Sequence, residues 1–148
     1  MVIRGLSFIV CALAISAVAH PAVASAKPNP YTPEQVCGAG FSVIDQHKLF
    51  SGSRHTTHLA TTFLLYNGAT GQNCAATMKY RFVGRPTTTG VSLKVKGKRR
   101  PWVVDQDAFE YYAGPVYRTA PGRCVRFGGT VSTPFGEDIY ISPFGHCS

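Results

Sequence analysis

Cys74-Ala75-Ala76-Thr77-Met78-Lys79-Tyr80-Arg81-Phe82-Val83 is the stretch that decides the fold class. Side chains alternate along a strand with period two. Cys74, Ala76, Met78, Tyr80 and Phe82 therefore share one apolar face. Ala75, Thr77, Lys79, Arg81 and Val83 share the other, mostly polar face. Just upstream, Thr61–Tyr66 is β-branched and aromatic, and Asn67–Gly71 supplies Asn-Gly and a second Gly. The two runs read as a hairpin.

The same signature recurs outward in both directions. Phe41, Val43 and Asp45 alternate with Ser42, Ile44 and Gln46. Val91, Leu93 and Val95 alternate with Ser92, Lys94 and Lys96, Gly97 breaks the run, and Trp102-Val103-Val104 resumes it after Pro101. That predicts a second hairpin with a basic tip. Phe109–Tyr112 and Val116–Tyr117 flank Gly114-Pro115, which should bend or interrupt the strand. Cys124–Phe127 is expected to be a short strand ending at Gly128-Gly129, and Ile139–Ile141 the last strand before Pro143. No stretch sustains apolar residues at helical spacing, although Pro33–Val36 has room for one turn. Short β-rich runs punctuated by Gly and Pro predict an all-β barrel or sandwich of about six to eight strands, with little or no helix.

The beginning of the chain bears on compartment. Arg4, the apolar run Leu6–Val18 and the small residues Ala24-Ser25-Ala26 read as a secretory signal over residues 1–26. Cys11 follows Phe8-Ile9-Val10, without the small residue that a lipidated cysteine requires before it, so it reads as part of the signal. Removing residues 1–26 from the 148 leaves 122 residues, one domain's length, and leaves Cys37, Cys74, Cys124 and Cys147. Residues 27–36, with Pro28, Pro30 and Pro33, form an extended lead-in to a single domain over residues 37–148. An even cysteine count in a small exported chain indicates a disulfide framework. Four cysteines allow three pairings. Cys37–Cys74 with Cys124–Cys147 is favoured because each pair closes one local unit, worth roughly 3–4 kcal/mol in the chain-entropy model.

Charge narrows the partner. The chain has 15 Lys and Arg against 7 Asp and Glu, and without Arg4 the balance is +7. Such a basic exported protein is drawn to polyanions. Lys94, Lys96, Lys98, Arg99 and Arg100 lie within seven residues, followed by Trp102. This is the candidate anionic-ligand site, since clustered cations attract phosphates and an adjacent indole stacks on a sugar or base. Edge lysines also block strand-to-strand aggregation, a competing explanation for the same residues.

Other constellations are weaker. His55 and His58 have a His-x-x-His spacing, but their surroundings are loop-like and supply no further ligand. No metal or cofactor is expected. Asp45 and His47 with a serine would need a Gly-x-Ser-x-Gly elbow, which the chain lacks. A small secreted ribonuclease would draw on Glu110 or Glu137, His146, and Arg123 or Arg126. A protease inhibitor would present Ser142-Pro143-Phe144 or Thr119-Ala120-Pro121 beside a cysteine. Tyr111, Tyr112 and Tyr117 would form a carbohydrate platform if two rings faced solvent on one side.

Taken together, several segments resemble the spore-associated protein A family of actinobacteria, small secreted four-cysteine proteins. They are Cys37-Gly38-Ala39-Gly40-Phe41-Ser42-Val43-Ile44-Asp45, Leu64-Leu65-Tyr66-Asn67, Thr70-Gly71-Gln72-Asn73-Cys74, and Tyr111-Tyr112-Ala113-Gly114-Pro115-Val116. Ala120-Pro121-Gly122-Arg123-Cys124, Gly128-Gly129 and Gly145-His146-Cys147 complete the pattern. Ser51–His58 and Lys94–Arg100 depart from it. The resemblance implies an exported protein of the spore or hyphal surface and carries over no catalytic residue. The expectation is therefore a secreted, non-enzymatic protein of the spore or cell wall, without a transmembrane anchor. Its partner would be an anionic wall polymer or the spore surface, not a specific nucleic acid. A secreted protease inhibitor or ribonuclease is the alternative.

Overall fold

The computed structural model describes residues 27–52, 56–97 and 99–147. The proposed signal, residues 1–26, lies outside them, as do His55 and Lys98. Among the described residues, one short helix, α1 (Pro33–Cys37), precedes eight strands: β1 (Ser42–Ser51), β2 (Thr57–Asn67), β3 (Gln72–Lys79), β4 (Thr87–Val95), β5 (Val103–Phe109), β6 (Tyr112–Thr119), β7 (Val125–Thr133) and β8 (Gly136–Ile141). They form two four-stranded antiparallel sheets, ordered β1-β2-β3-β6 and β5-β4-β7-β8. The sheets stack as a sandwich rather than closing into a barrel. Both expected hairpins are present, β2–β3 and β4–β5.

Leu64, Ala75, Val91, Leu93, Val95, Val116, Val125 and Phe127 fill the space between the sheets. Here the alternation of Cys74–Val83 takes on a different meaning. The face carrying Ala75 and Thr77 is the one that points into the sandwich. The apolar face, Cys74, Ala76 and Met78, points away from it, yet is also buried. Leu65, Phe63, Phe41 and Cys37 pack on Cys74 there. β3 is an interior strand covered on both sides, so polarity did not mark its solvent side.

Gly114-Pro115 interrupts the ladder inside β6, with a cis peptide bond and a register shift opposite Ala75 and Thr77. Two other expectations need correction. The run Phe109–Tyr112 is divided, because β5 ends at Phe109 and β6 begins at Tyr112. Likewise Gly128-Gly129 does not end a strand; β7 runs through both. A Cβ on Gly129 would lie 2.6 Å from Thr62 Cβ, so the glycine lets the sheets approach. The Thr62 hydroxyl donates to the Gly128 carbonyl across that contact at 3.4 Å.

The lead-in is tied to the sandwich. Thr32 caps α1 in a reciprocal capping box with Gln35. The Asn29 amide donates to the Lys79 carbonyl at 3.1 Å and to the Tyr111 carbonyl at 2.8 Å. The disulfide Cys37–Cys74 then pins α1 to β3, and Cys124–Cys147 joins the start of β7 to the C-terminal segment.

Lys79 is only 2% exposed. Its ammonium donates to the carbonyls of Arg85 at 2.5 Å and Phe109 at 2.8 Å. Burial pushes its pKa down from 10.5 to about 8, with the Glu110 charge opposing. A lysine with a lowered folded-state pKa destabilises the fold at and below that value, and the cost vanishes as pH climbs toward the unfolded value. Between pH 8 and pH 10 the native protein should therefore gain on the order of 2 kcal/mol relative to Lys79→Met. Denaturant midpoints of the two proteins at both pH values measure this. Parallel pH curves would refute it.

Candidate functional site

The hairpin β4–β5 builds the basic surface. Val91, Leu93 and Val95 are fully or almost fully buried, so strand alternation turns Lys94 outward from the sandwich. Its ammonium lies 5.7 Å from the centre of the Trp102 ring. Past the end of β4, Lys96, Arg99 and Arg100 are exposed. Arg99, Arg100 and Pro101 line a shallow hollow of about 370 Å³ together with Arg118. The Arg118 guanidinium donates to the Pro101 carbonyl at 3.3 Å, which couples β6 to the hairpin base.

Lys94 is paired in register with Arg126 on β7. The Arg126 guanidinium stacks 3.7 Å above the Phe144 ring. Two cation–aromatic stacks thus sit side by side on the outer face of the β5-β4-β7-β8 sheet. Among the described residues, none of Lys94, Lys96, Arg99, Arg100, Arg118 and Arg126 forms an ion pair; the pair present is His146–Asp45. Sequence reading placed Lys94, Lys96, Arg99, Arg100 and Trp102 here, but missed Arg118. Eighteen positions separate Arg118 from Arg100, and only the β5–β6 return brings them together.

Other sequence candidates are dispersed. His146 Nε2 lies 2.9 Å from Asp45 Oδ2, while Glu110, Glu137, Arg123 and Arg126 make no hydrogen bond to that imidazole among the described residues. The His47 ring stacks on Tyr140 at 3.6 Å. His58 bonds the Thr61 hydroxyl at 2.8 Å, and burial holds its pKa below the ordinary histidine value. Ser142 is buried and its hydroxyl accepts from the Phe127 amide, while Ala120 is buried and its amide donates to the Gly71 carbonyl. Both loops considered for inhibition are therefore pinned at those residues. Tyr117 donates to the Cys37 carbonyl at 2.9 Å, apart from Tyr111 and Tyr112, which pack on Tyr31. Among the described residues no three His, Cys, Asp or Glu side chains are grouped to hold a metal, and no helix is long and apolar enough to cross a membrane.

Comparison with known proteins supplies a relative. Spore-associated protein A of Streptomyces coelicolor is 33% identical over 97 residues. The chain is related to the spore-associated protein A family. The aligned segment covers 65% of this chain and 56% of the Streptomyces protein, so this relative of spore-associated protein A spans about half the length of its curated match. No family model and no solved structure matches the chain.

Proposed function

We propose that the chain is an exported, non-enzymatic protein of a spore or cell surface that holds an anionic wall polymer at its basic hairpin. The observation that carries the reading is the shared hollow of Arg99, Arg100 and Arg118, whose guanidinium groups have no carboxylate partner among the described residues. Unpaired cations at an exposed tip retain their full attraction for phosphate, because no internal carboxylate competes. The hollow is shallow, and the basic strip continues over Lys94 and Arg126 along the sheet. An extended polymer can engage such a strip at several points, whereas a small ligand would be enclosed by none of them. Export is supported by the signal-like residues 1–26 and by two disulfides, which persist in oxidising compartments. Surface association is supported by the relative's name.

The test is retention on isolated cell wall as salt rises. Wild-type protein should elute progressively, since counterion release makes such binding steeply salt-dependent. Replacing Arg99, Arg100 and Arg118 with Gln should cut retention at low salt by about tenfold or more. Unchanged retention of the triple variant would remove the proposal.

A further inference from the structure

A second recess lies on the outer face of the β1-β2-β3-β6 sheet, where the lead-in crosses it. One hollow, of about 610 Å³, runs between Thr32–Glu34 and Val43–Gln46. Its neighbour, of about 220 Å³, opens between Tyr31, Thr61, Met78 and Tyr80. Thr32, Pro33 and Phe63 line both, so the two form one furrow along the edge of the lead-in.

The furrow presents apolar surface that the core does not use. Tyr80 is 53% exposed, Tyr31 44% and Ile44 41%. The rings are held in place before any ligand arrives. Tyr80 stacks on His58 at 4.3 Å, and His58 is itself fixed by Thr61. Tyr31 is braced edge-on by Tyr111 and Tyr112 at 5.4 and 5.2 Å. Aromatic groups immobilised in advance lose little entropy on binding. Between them, the Gln46 side chain and the Glu34 carboxylate are the hydrogen-bonding groups left for a ligand, since the Thr32 and Thr61 hydroxyls bond Gln35 and His58, and the Asp45 carboxylate is held by the Gln46 backbone amide and His146.

Charge selects the occupant. The furrow's lysine, Lys79, turns its ammonium to the Arg85 and Phe109 carbonyls. Lys48 and Arg81 lie near His58 at one end, while Glu34 and Asp45 are carboxylates at the other. Nothing there resembles the arginine hollow, and the carboxylates oppose a polyanion. A chain with flat apolar faces, many hydroxyls and no net charge fits. We propose that this furrow binds an uncharged glycan strand of hexose or N-acetylhexosamine units, with sugar rings on Tyr80 and Tyr31 and hydroxyls or amides on Glu34 and Gln46. The site is separate from the basic hairpin and is independent of its role.

Calorimetric titration of the full chain with cellohexaose and with the hexamer of N-acetylglucosamine tests this. At least one should bind, with an affinity that does not change between low and high salt. Tyr80→Ala and Tyr31→Ala should each weaken it roughly three- to tenfold. The Arg99, Arg100 and Arg118 triple variant should bind the sugar normally, so failure of the polymer proposal and failure of this one are distinguishable. Tyr80→Ala decides the matter if Tyr31→Ala loosens the lead-in, because the Tyr80 side chain is largely outside the packing. No heat or shift at millimolar sugar would overturn the assignment. So would binding that survives Tyr80→Ala, or displacement of bound sugar by an uncharged extended peptide at lower concentration.

Discussion

Replacing Cys37 and Cys74 together by alanine should lower the free energy of unfolding by about 4 kcal/mol. The bridge spans 37 positions, and loop closure of that length removes about this much freedom from the unfolded chain. Its place adds to the effect. Cys74 belongs to the interior strand β3, and Cys37 is the last residue of α1, which covers β3's outer face. Without the bond, a helix of 5 residues must hold itself against the sheet, and so short a helix has no independent stability. Cys124–Cys147 closes 23 positions, and its removal should cost about 3 kcal/mol. Urea unfolding of the two double variants checks both values. Equal and small losses, below about 1 kcal/mol, would show that the strands alone carry the stability.

Gly129→Val should be comparably damaging, at about 3 kcal/mol or more, and Gly129→Ala at about 1–3 kcal/mol. A Cβ there meets Thr62 Cβ at 2.6 Å, Thr77 Oγ1 at 3.0 Å and Thr62 Cγ2 at 3.1 Å. The clashing atoms belong to short β-branched side chains of the facing sheet, whose χ1 cannot rotate freely out of the way. The sheets must separate or β7 must shift. Gly145→Ala is the control, because nothing lies within 4 Å of its added carbon. It should change stability by less than about 0.5 kcal/mol. Thermal denaturation of the three variants suffices, and a Gly129→Val protein as stable as Gly145→Ala would contradict the close-approach argument.

These two sites also show what was legible in the residues. Period-two alternation in Cys74–Val83 and Val91–Val95, and the β-branched and aromatic run Thr61–Tyr66, are local properties, so the hairpins and the all-β class could be read directly. The cysteine pairing followed from the same locality, because each bond closes one neighbourhood of the chain. Gly129 could not be understood that way. Its reason for being glycine is Thr62, a residue from the other sheet, and locally Gly128-Gly129 looks like a turn. The face of β3 failed similarly. Polarity identifies the solvent side of a strand only when one side meets solvent, and α1 with Phe41 and Phe63 covers the outer one.

The candidate site divides along the same line. Lys94, Lys96, Arg99, Arg100 and Trp102 are neighbours in sequence and were visible as a cluster. Arg118 and Arg126 join them through the β5–β6 return and the β4–β7 register. Likewise, the 101 positions between Asp45 and His146 left no trace of their contact in either segment. The furrow beside the lead-in depends on Tyr31 and Tyr80, which come together only once residues 27–36 lie across the sheet.

The most direct measurement is the affinity of the purified chain for a soluble phosphate-backbone polymer across a range of salt concentrations. With about three to five cations engaged, the logarithm of the association constant should fall against the logarithm of salt with a slope of about −2 to −4, and the Arg99, Arg100 and Arg118 variant should flatten it by about two. A slope near zero, or the same slope in both proteins, would contradict binding at the hairpin.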